Sequence, residues 1–501
     1  MKFNFLNKRQ NVNKNHEGAK AYAMKPEFEL YSAVVTTGLN NMYYEKDQER
    51  LKRIKSLVGR CNPEFVAKLA IYARTEMHMR TIPIVLTVEL AKCHKGDSLV
   101  SKTINQVVRR ADEITEMLAY YQFTNKRTDT KKLNRLSKQI QKGLVRSFNN
   151  FDEYQFAKYN RQTNVKLRDA LFLVHPKPKD ANQQAIFNKI AQENLETPYT
   201  WETELSALGQ QYFRNERQKQ RAITAKWQEL IDSKRLGYMA LMRNLRNILD
   251  ADVSPYHISA VCDYISNENA VKNAKQLPFR FLAAYRELKN NPSRFTSAIL
   301  DALEIATMHS ASNIKGFDFS TSVVVACDVS GSMQQPISPK SKVLLYDVGL
   351  MLGMLMQSQC KNITSGMFGS TWKAINLPQR SVLSNVNEYY KREGEVGYAT
   401  NGYLVIEDLI AKKQRVDKVM LFTDVQMWNS RNTKNNFAQS WEKYKLIAPN
   451  AKLYLFDLAG YGQQPINIQK NDVHLIAGWS DKVFDMLYAL ETRKSAVSEI
   501  K

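Results

Sequence analysis

The sequence lacks the features of several large protein classes. Its five cysteines are scattered, odd in number and never arranged as Cys-x-x-Cys, which argues against both a disulfide framework and a structural zinc site. The first residues are basic but contain no apolar segment of signal-peptide length. The most apolar helical segment, Val343–Met356, is too short to cross a bilayer and contains Asp347. We therefore expect a cytoplasmic protein.

Sequence motifs of common catalytic sites are also missing. There is no Gly-x-x-x-x-Gly-Lys-Ser/Thr loop, which argues against a nucleotide hydrolase of the chelatase type. The segment Asp328-Val-Ser-Gly-Ser332 has no histidine nearby in the sequence to activate a nucleophile. A two-metal nuclease would need more carboxylates than Asp328 and Asp424 supply. A non-enzymatic function is therefore expected.

Acidic residues are too few to balance the basic ones. The 501-residue chain carries 72 Lys and Arg against 49 Asp and Glu, a formal net charge of +23. Most of the excess lies in residues 1–319, which hold 51 of the basic and 33 of the acidic residues. A polyanion is the natural partner of such a chain, and an anionic membrane surface is the competing interpretation.

Residues 28–310 show helical periodicity almost throughout. Apolar residues recur there at three- and four-residue spacing, and polar loops or prolines separate the segments. The clearest examples are Glu64–Arg74, Ile82–Lys92, Gln106–Tyr121 and Gly237–Leu249. Many short amphipathic helices without one long bundle predict stacked helix pairs, an α-solenoid. The polar residues 1–18 are predicted to form a mobile arm.

A basic face is predicted on a helix that begins near Thr130. Its apolar stripe comprises Leu133, Leu136, Ile140 and Leu144. Each of these apolar residues is followed two positions later by a cation, and the four cations are Arg135, Lys138, Lys142 and Arg146. No acidic residue lies within one helical turn of any of them. A solvated helix face is the simpler interpretation, but phosphate contacts need uncompensated charge of this kind. We favour a nucleic-acid interface.

Cations and aromatic residues alternate between residues 151 and 180. Lys158, Arg161 and further basic residues are interleaved with Tyr154, Tyr159 and Phe172. This mixture favours RNA, because unstacked bases can stack on the aromatic rings while the phosphates of the RNA backbone bind the cations. His175 precedes Pro176, which indicates a helix end. Taken alone, His175 would more simply be a buried or capping histidine.

Several motifs of the helical part form a recognisable set. They are Leu69-Ala-Ile-Tyr-Ala-Arg, Arg110-Ala-Asp-Glu-Ile-Thr-Glu, Phe151-Asp-x-Tyr-x-x-Ala-Lys-Tyr, Lys166-Leu-Arg-Asp-x-Leu, His175-Pro-Lys-Pro and Ala240-Leu-Met-Arg-Asn-Leu. Together they resemble the TROVE domain of the Ro autoantigen family and its bacterial orthologues. The resemblance implies HEAT-like helical repeats closed into a ring. It also implies that Y RNA, a small stem-loop RNA, binds the outer surface, and that single-stranded 3′ ends of misfolded RNAs enter the hole.

The resemblance also implies particular RNA contacts. In the family, a Lys before a Tyr, an Arg four residues after that Lys and a His further on form part of the Y RNA site. The Lys corresponds to Lys158 and the His to His175, whereas the Arg position holds Gln162. Arg161 lies one residue earlier, so whether it replaces the family's arginine is open.

The last third of the chain alternates strand-like and helix-like segments, which predicts a doubly wound α/β domain. The expected strands are Ser322–Ala326, Ile363–Phe368, Val419–Thr423, Leu453–Phe456 and Val473–Ile476. Helices are expected around 343–359, 384–392, 402–412, 435–447 and 480–492.

Five oxygen-bearing side chains stand at or near the ends of these segments. Asp328, Ser330 and Ser332 follow the first strand, Thr400 lies in a loop with Gly and Ala, and Asp424 follows the third strand. Such hard ligands suit Mg²⁺, with Mn²⁺ as the alternative. In order, they resemble the metal-ion-dependent adhesion site of a von Willebrand factor A domain. That resemblance implies one divalent cation that accepts a partner's carboxylate, although a structural metal or an empty site also fits the sequence.

The order of the two parts is similar to that of Ro proteins, in which a TROVE domain precedes a von Willebrand factor A domain. We predict an α + α/β chain with an arm (1–18), a TROVE repeat domain (19–315) and an A-like domain (316–501). The expected function is non-catalytic RNA binding in a small ribonucleoprotein, with a role in non-coding RNA quality control or degradation.

The expected partners are a Y-like small RNA and misfolded or single-stranded RNA, and an exoribonuclease is a further candidate. The protein is expected to be a monomer that binds no membrane. The alternative function is a metal-dependent protein-interaction scaffold with a basic helical platform.

Overall fold

The computed structural model describes residues 12–16, 20–37, 45–125, 136–161, 163–310, 320–337, 341–427, 437–466, 472–479 and 482–491. Within these residues the chain forms two compact units. One unit contains an α/β sheet and draws on Met1–Ile54, Val271–Arg286 and Leu303–Glu499. The other is helical and consists of Lys55–Ala270 and Glu287–Ala302. No helix among the described residues is long and apolar enough to span a membrane.

Short helices account for most of the described chain up to residue 310. They are α1 (Pro26–Val35), α2 (Asp47–Val58), α3 (Pro63–Thr75), α4 (Thr81–Cys93), α5 (Leu99–Val107), α6 (Asp112–Thr124), α7 (Lys138–Phe148), α8 (Glu153–Tyr159), α9 (Leu167–Val174), α10 (Ala181–Ala191), α11 (Trp201–Gly209), α12 (Glu216–Asp232), α13 (Tyr238–Arg243), α14 (Leu245–Asp250), α15 (Pro255–Ser266), α16 (Glu268–Ala274), α17 (Phe279–Leu288) and α18 (Thr296–Ser310). Polar residues cap many of their N-termini, so the short helices begin at defined positions. Asn62 caps α3, Asp152 caps α8 and Asn215 caps α12.

The packing of α7 against α5 determines which face of α7 reaches solvent. Gly143 lies so close to α5 that a Cβ there would stand 2.6 Å from the Cβ of Ile104. Ile140, Leu144 and Phe148 are fully buried on the same side. The opposite side of α7 therefore faces water.

A mixed sheet forms the centre of the α/β unit. Its strands are β3 (Ser322–Asp328), β4 (Asn362–Phe368), β5 (Trp372–Ala374), β6 (Lys418–Thr423), β7 (Lys452–Asp457) and β9 (Val473–Ala477), in the order β5-β4-β3-β6-β7-β9. Only β5 is antiparallel to its neighbour within this described sheet. The helices are α19 (Leu345–Gln359), α20 (Leu383–Arg392), α21 (Tyr403–Ala411), α22 (Phe437–Ile447) and α23 (Lys482–Glu491). The predicted fold class, helical repeats followed by a doubly wound A-like domain, is confirmed. The edge strand β5 was not predicted.

The N-terminal residues belong to the α/β unit. Strands β1 (Val12–Lys14) and β2 (Lys20–Ala23) form a small antiparallel sheet with β8 (Gln463–Gln464). This differs from the predicted division, because part of the expected arm 1–18 is a strand and the described residues up to 54 lie outside the helical unit. The predicted boundary at 315 falls among residues that the structure does not describe.

Candidate functional site

The carboxyl ends of β3 and β6 place Asp328 and Asp424 next to each other. The two strands are parallel neighbours, with Cys327 paired to Phe422, so the residues that follow emerge at the same sheet edge. Thr423 donates a hydrogen bond from its hydroxyl to Asp328 Oδ2 at 2.6 Å.

The loop after β3 turns sharply and keeps its hydroxyls with Asp328. The Ser330 N–H donates to Asp328 Oδ1 at 2.9 Å, and the hydroxyl oxygens of Ser330 and Ser332 are 3.3 Å apart. A short 3₁₀ turn, Gly331–Gln334, follows. Both hydroxyls are therefore buried beside the carboxylate.

The loop that carries Thr400 is fastened to the same sheet edge. The Gly331 N–H donates to the Tyr398 carbonyl at 3.1 Å, and the Asn401 N–H donates to the Gly369 carbonyl at 3.0 Å. Thr400 itself is 5% exposed. The structure thus brings the segments carrying all five predicted metal ligands to one edge of the sheet.

The chemistry of this edge fits a divalent cation. Burial raises the pKa of Asp328 to about 6, and burial together with the neighbouring Asp328 charge raises the pKa of Asp424 to about 7. Asp424 Oδ2 is buried and accepts no hydrogen bond from the described residues. Two buried carboxylates of this kind need a positive charge between them to ionise fully.

The available ligands limit which ion could bind there. Nowhere among the described residues do three or more His, Cys, Asp or Glu side chains gather to hold a metal. The site offers two carboxylates and several hydroxyls, a set of hard oxygen ligands that suits Mg²⁺ better than zinc or copper. The five ligands and the ion stay a prediction.

Three of the four cations predicted on a basic helix face lie on α7. Lys138, Lys142 and Arg146 are all exposed, at a spacing that stacks them on the side opposite the buried stripe. Within the described part of the chain none of the three forms an ion pair. Arg135 and Leu133 lie outside the described residues. The helix begins at Lys138 rather than near Thr130, and the residue before it, Ser137, has a non-helical backbone with ψ of 129°.

Lys158 and His175 occupy the ends of two neighbouring helices. Lys158, near the end of α8, is exposed and lies over the rings of Tyr154 and Tyr159, at 5.4 and 5.8 Å from their centroids. His175 ends α9 in a left-handed conformation, with φ of 50°, and its N–H donates to the Leu171 carbonyl. Its side chain is exposed rather than buried, so the capping role leaves the ring free for a ligand.

Arg161 is exposed and lines a narrow cleft with acidic residues. Asp112 and Glu116 stand on the other side of this cleft, and burial raises the pKa of Glu116. Arg161 therefore has carboxylates near it, unlike the three cations of α7. Gln162, at the family's arginine position, lies outside the described residues.

Hydrogen bonds made by Gln141 and Asn149 join α7 to the end of α9 and to the turn that follows it. Gln141 donates from its side-chain amide to the Val174 carbonyl at 3.2 Å. Asn149 donates from its side-chain amide to the Lys177 carbonyl at 2.9 Å, and Lys179 donates from its N–H to Asn149 Oδ1 at 2.9 Å. The basic stripe of α7 and the segment from His175 to Lys179 thus form one surface. We call it the α7–α9 surface, comprising Lys138, Lys142, Arg146, His175, Lys177 and Lys179.

No sequence pattern pointed to this junction, since Gln141 and Asn149 look like ordinary polar helix residues. Arg110 was not predicted as a site residue either. The Arg110 guanidinium stacks on the Tyr159 ring at 4.1 Å and pairs with Asp112 at 2.8 Å. Arg110 therefore fixes the aromatic ring beside Lys158.

Comparison with known proteins identifies the family. The TROVE domain model matches residues 30–204 and 191–316. The chain belongs to the TROVE-domain family. The telomerase protein component 1 of Rattus norvegicus is 23% identical over 319 residues, 48% of this chain and 12% of that protein. Its Mus musculus counterpart is 24% identical over 308 residues, 46% of this chain and 11% of that protein. The chain thus spans about an eighth of the length of these TROVE relatives.

A solved structure shows the same fold as this TROVE chain. The Ro protein (RSR) of Deinococcus radiodurans superposes with a TM-score of 0.60 and 16% identity, covering 95% of this chain and 100% of that one. The predicted resemblance to the Ro and TROVE family is confirmed. Family membership supports an RNA-binding role of the ribonucleoprotein type.

Proposed function

We propose that this chain is the non-catalytic RNA-binding protein of a small ribonucleoprotein. It binds a Y-like stem-loop RNA on the α7–α9 surface together with Lys158, and it takes single-stranded ends of misfolded RNAs at a separate site. This activity serves non-coding RNA quality control or degradation. The observation that carries the proposal is the continuous α7–α9 surface, in which the three α7 cations have no carboxylate partner among the described residues.

The α7–α9 surface and the exposed rings of α8 and α9 together supply the two kinds of group that RNA recognition uses. Uncompensated cations displace the counterions of phosphates. Exposed aromatic rings on α8 and α9 offer stacking faces to unpaired bases. Tyr154 and Phe172 are 45% and 49% exposed, and the guanidinium of Arg168 lies 5.7 Å from the Phe172 ring centroid. A stem-loop presents both phosphates and unpaired loop bases, which fits this arrangement.

Lys158 and His175 test the stem-loop site. The double variant Lys158→Ala/His175→Ala should lose a stem-loop RNA in gel-shift titrations yet keep a duplex with a single-stranded tail. Lys158→Ala alone should lower the slope of log affinity against log salt by roughly one, because one phosphate contact is lost. His175→Ala should weaken binding with little change in slope, since a neutral imidazole contributes hydrogen bonding or stacking.

Lys68→Ala is the matched control, because Lys68 is an exposed lysine on α3, outside the proposed site. Equal loss of both RNAs in the double variant would mean one shared surface and would contradict the two-site proposal.

The α7 cations supply the second test. The triple variant Lys138→Ala/Lys142→Ala/Arg146→Ala should bind structured RNA more weakly and with a shallower salt slope, by roughly two to three. The buried stripe of α7 is untouched, so the helix should keep its place and the melting temperature should stay near that of the wild type. If this variant kept the wild-type slope of log affinity against log salt, the α7 cations would be solvated surface residues that do not contact RNA.

A metal-dependent protein-interaction role is the second candidate, supported by the buried pair Asp328 and Asp424 with its unsatisfied oxygen. Asp328, Ser330, Ser332, Thr400 and Asp424 would hold one divalent cation, Mg²⁺ before Mn²⁺. When bound, the ion supplies an electrophilic site for a partner's carboxylate. An exoribonuclease is one class of partner that this role could recruit. Purified protein free of nucleic acid, judged from the 260/280 nm absorbance ratio, would favour this role over RNA binding.

A further inference from the structure

A second cluster of cations and aromatic residues lies at the start of α12, outside the α7–α9 surface. Residues 212–221, Tyr-Phe-Arg-Asn-Glu-Arg-Gln-Lys-Gln-Arg, hold four Lys or Arg and one Glu. Tyr212 is 89% exposed, and Lys219 pairs with Glu216 at 3.3 Å. The remaining cations Arg214, Arg217 and Arg221 are exposed, and in the described part of the chain they form no ion pair.

An apolar cleft of about 350 Å³ opens beside this cluster. Its apolar wall is contributed by α11, the segment between α11 and α12, α12 itself and the end of α14, and comprises Leu205, Leu208, Phe213, Ile223, Trp227 and Ala251. The Trp227 ring is buried and stacks on Trp201, with ring centroids 6.4 Å apart and planes at 20°. This buried pair holds the floor of the cleft rigid, and the partly exposed ring of Phe213 is the aromatic surface in the lining that a base can reach.

Four polar residues also line the cleft: Lys219, Gln220, Asn247 and Asp250. Gln220 donates from its side-chain amide to the Asp250 carbonyl at 3.1 Å. The Gln220 amide oxygen and the Asp250 carboxylate can accept hydrogen bonds from the exocyclic amino group of a base. Arg217 precedes Gln220 by three residues on α12, so it flanks the rim on the helix surface.

We propose that this cleft binds an unpaired base of single-stranded RNA, with Arg214, Arg217 and Arg221 contacting the phosphates on either side. The proposal rests on the RNA-binding function proposed above and adds a site to it. Stacking on aromatic side chains accepts any base, and a flanking line of cations follows the backbone. A base held in a duplex is stacked and paired, so the cleft selects single-stranded RNA.

Charge decides between RNA and an apolar peptide side chain as the occupant. An apolar peptide would make no use of three unpaired arginines next to the opening. The negative charge of Asp250 repels phosphates from the end of the rim where Asp250 lies. The RNA backbone is therefore expected at the other end, next to the arginines. The occupant is therefore a base whose phosphates run along the start of α12.

A substitution at Gly209 fills the cleft without removing charge. Gly209 lines the cleft, and a Cβ built on it meets nothing within 4 Å. Gly209→Phe should weaken binding of a short single-stranded RNA by about tenfold, the scale of one lost base–aromatic stack, and leave the salt slope and stem-loop binding unchanged. Gly237→Phe is the matched control, because Gly237 has equally open space and does not line the cleft.

The double variant Arg217→Ala/Arg221→Ala tests the phosphate contacts independently. Its salt slope with the single-stranded probe should fall by about 1.4, since each phosphate contact on a single strand contributes about 0.7. Both arginines are exposed, so this variant decides the question even if Gly209→Phe lowers the melting temperature. If Gly209→Phe and Arg217→Ala/Arg221→Ala both bound the single-stranded probe with wild-type affinity and salt slope, the cleft would not be a base-binding site. The proposed RNA-binding function would not be affected by that result. A wild-type chain that bound no RNA would instead remove the proposed function, and the cleft with it.

Discussion

Asp328 and Asp424 are two carboxylates held where water cannot solvate their charge. If they ligate a cation, Asp328→Ala should abolish Mg²⁺ binding measured by calorimetry, because it removes one of the two charged ligands. The fold should lose little stability, since the residue ends a strand at the sheet edge. Asp408→Ala is a control that removes a partly exposed carboxylate from α21. Unchanged Mg²⁺ affinity in Asp328→Ala would exclude the assigned site.

The raised pKa values of the same pair predict how the metal-free protein responds to pH. Between about pH 4 and pH 7 the folded state binds more protons than the unfolded state, so these groups make the folded state less stable as pH rises. Mg²⁺ should reverse the loss near neutral pH, because it binds the ionised carboxylates. Melting temperatures with chelator and with Mg²⁺ across this range would show it. Asp424→Asn should flatten the metal-free curve, and an unchanged curve would contradict the assignment.

At the scale of single elements, α17 and α19 are joined by a two-point ion pair. Arg286 donates to both carboxylate oxygens of Asp347, at 2.6 and 2.7 Å, and Asp347 is fully buried. Arg286→Met should lower the free energy of unfolding by about 3–5 kcal/mol, because it leaves an unpaired buried charge. Urea unfolding would measure the change.

The double variant Arg286→Met/Asp347→Leu is the control for this pair. It removes both charges, so it should cost less than Arg286→Met alone, although Asp347 also accepts the Leu344 N–H at 2.8 Å. Equal losses in the single and double variants would show that packing, and not the unpaired charge, sets the cost.

Asp347 also shows where sequence reasoning succeeds and stops. The apolar pattern around it correctly indicates a helix, predicted over 343–359 and found as α19, because burial on the sheet imposes that composition. The partner of Asp347 could not be predicted, since Arg286 lies 61 residues away in a different run of helices. Likewise, β5 is only three residues long and its side chains are exposed or partly exposed. The sequence of such a short, exposed strand cannot be distinguished from that of a loop.

The proposed sites, too, could be predicted from the sequence only in part. Asp328 ends a buried strand, and Ser330, Ser332 and Asp424 follow buried strands. Parallel topology brings such positions together, so the sequence alone indicates a site there. The α7 cations were visible as a repeat of charge. These cations share a surface with the segment from His175 to Lys179 because Gln141 and Asn149 form hydrogen bonds between α7 and α9 or the turn after it. Tertiary hydrogen bonds of that kind produce no periodic pattern in the sequence.

At the scale of the whole chain, the N-terminal residues complete the α/β unit. Ser32 donates from its hydroxyl to Asp457 Oδ2 at 2.6 Å, with both groups buried. Ser32→Ala should lower the free energy of unfolding of this unit by about 1.5–3 kcal/mol, the usual value for a hydrogen bond to a charged group. Thermal unfolding would measure it. Ser384→Ala, at a partly exposed position on α20 of the same unit, should change the free energy of unfolding little, and equal effects would refute a special role for Ser32.

The bond between Ser32 and Asp457 also bears on how the protein is made. The two residues are 425 positions apart, so at ribosomal rates about 20 to 85 s separate their synthesis. For most of that interval the residues of α1, which buries Leu30 to Val35 in the finished protein, are outside the ribosome while β7 does not yet exist. We therefore expect this apolar segment to stay uncovered for most of translation and to be bound by a chaperone during that time.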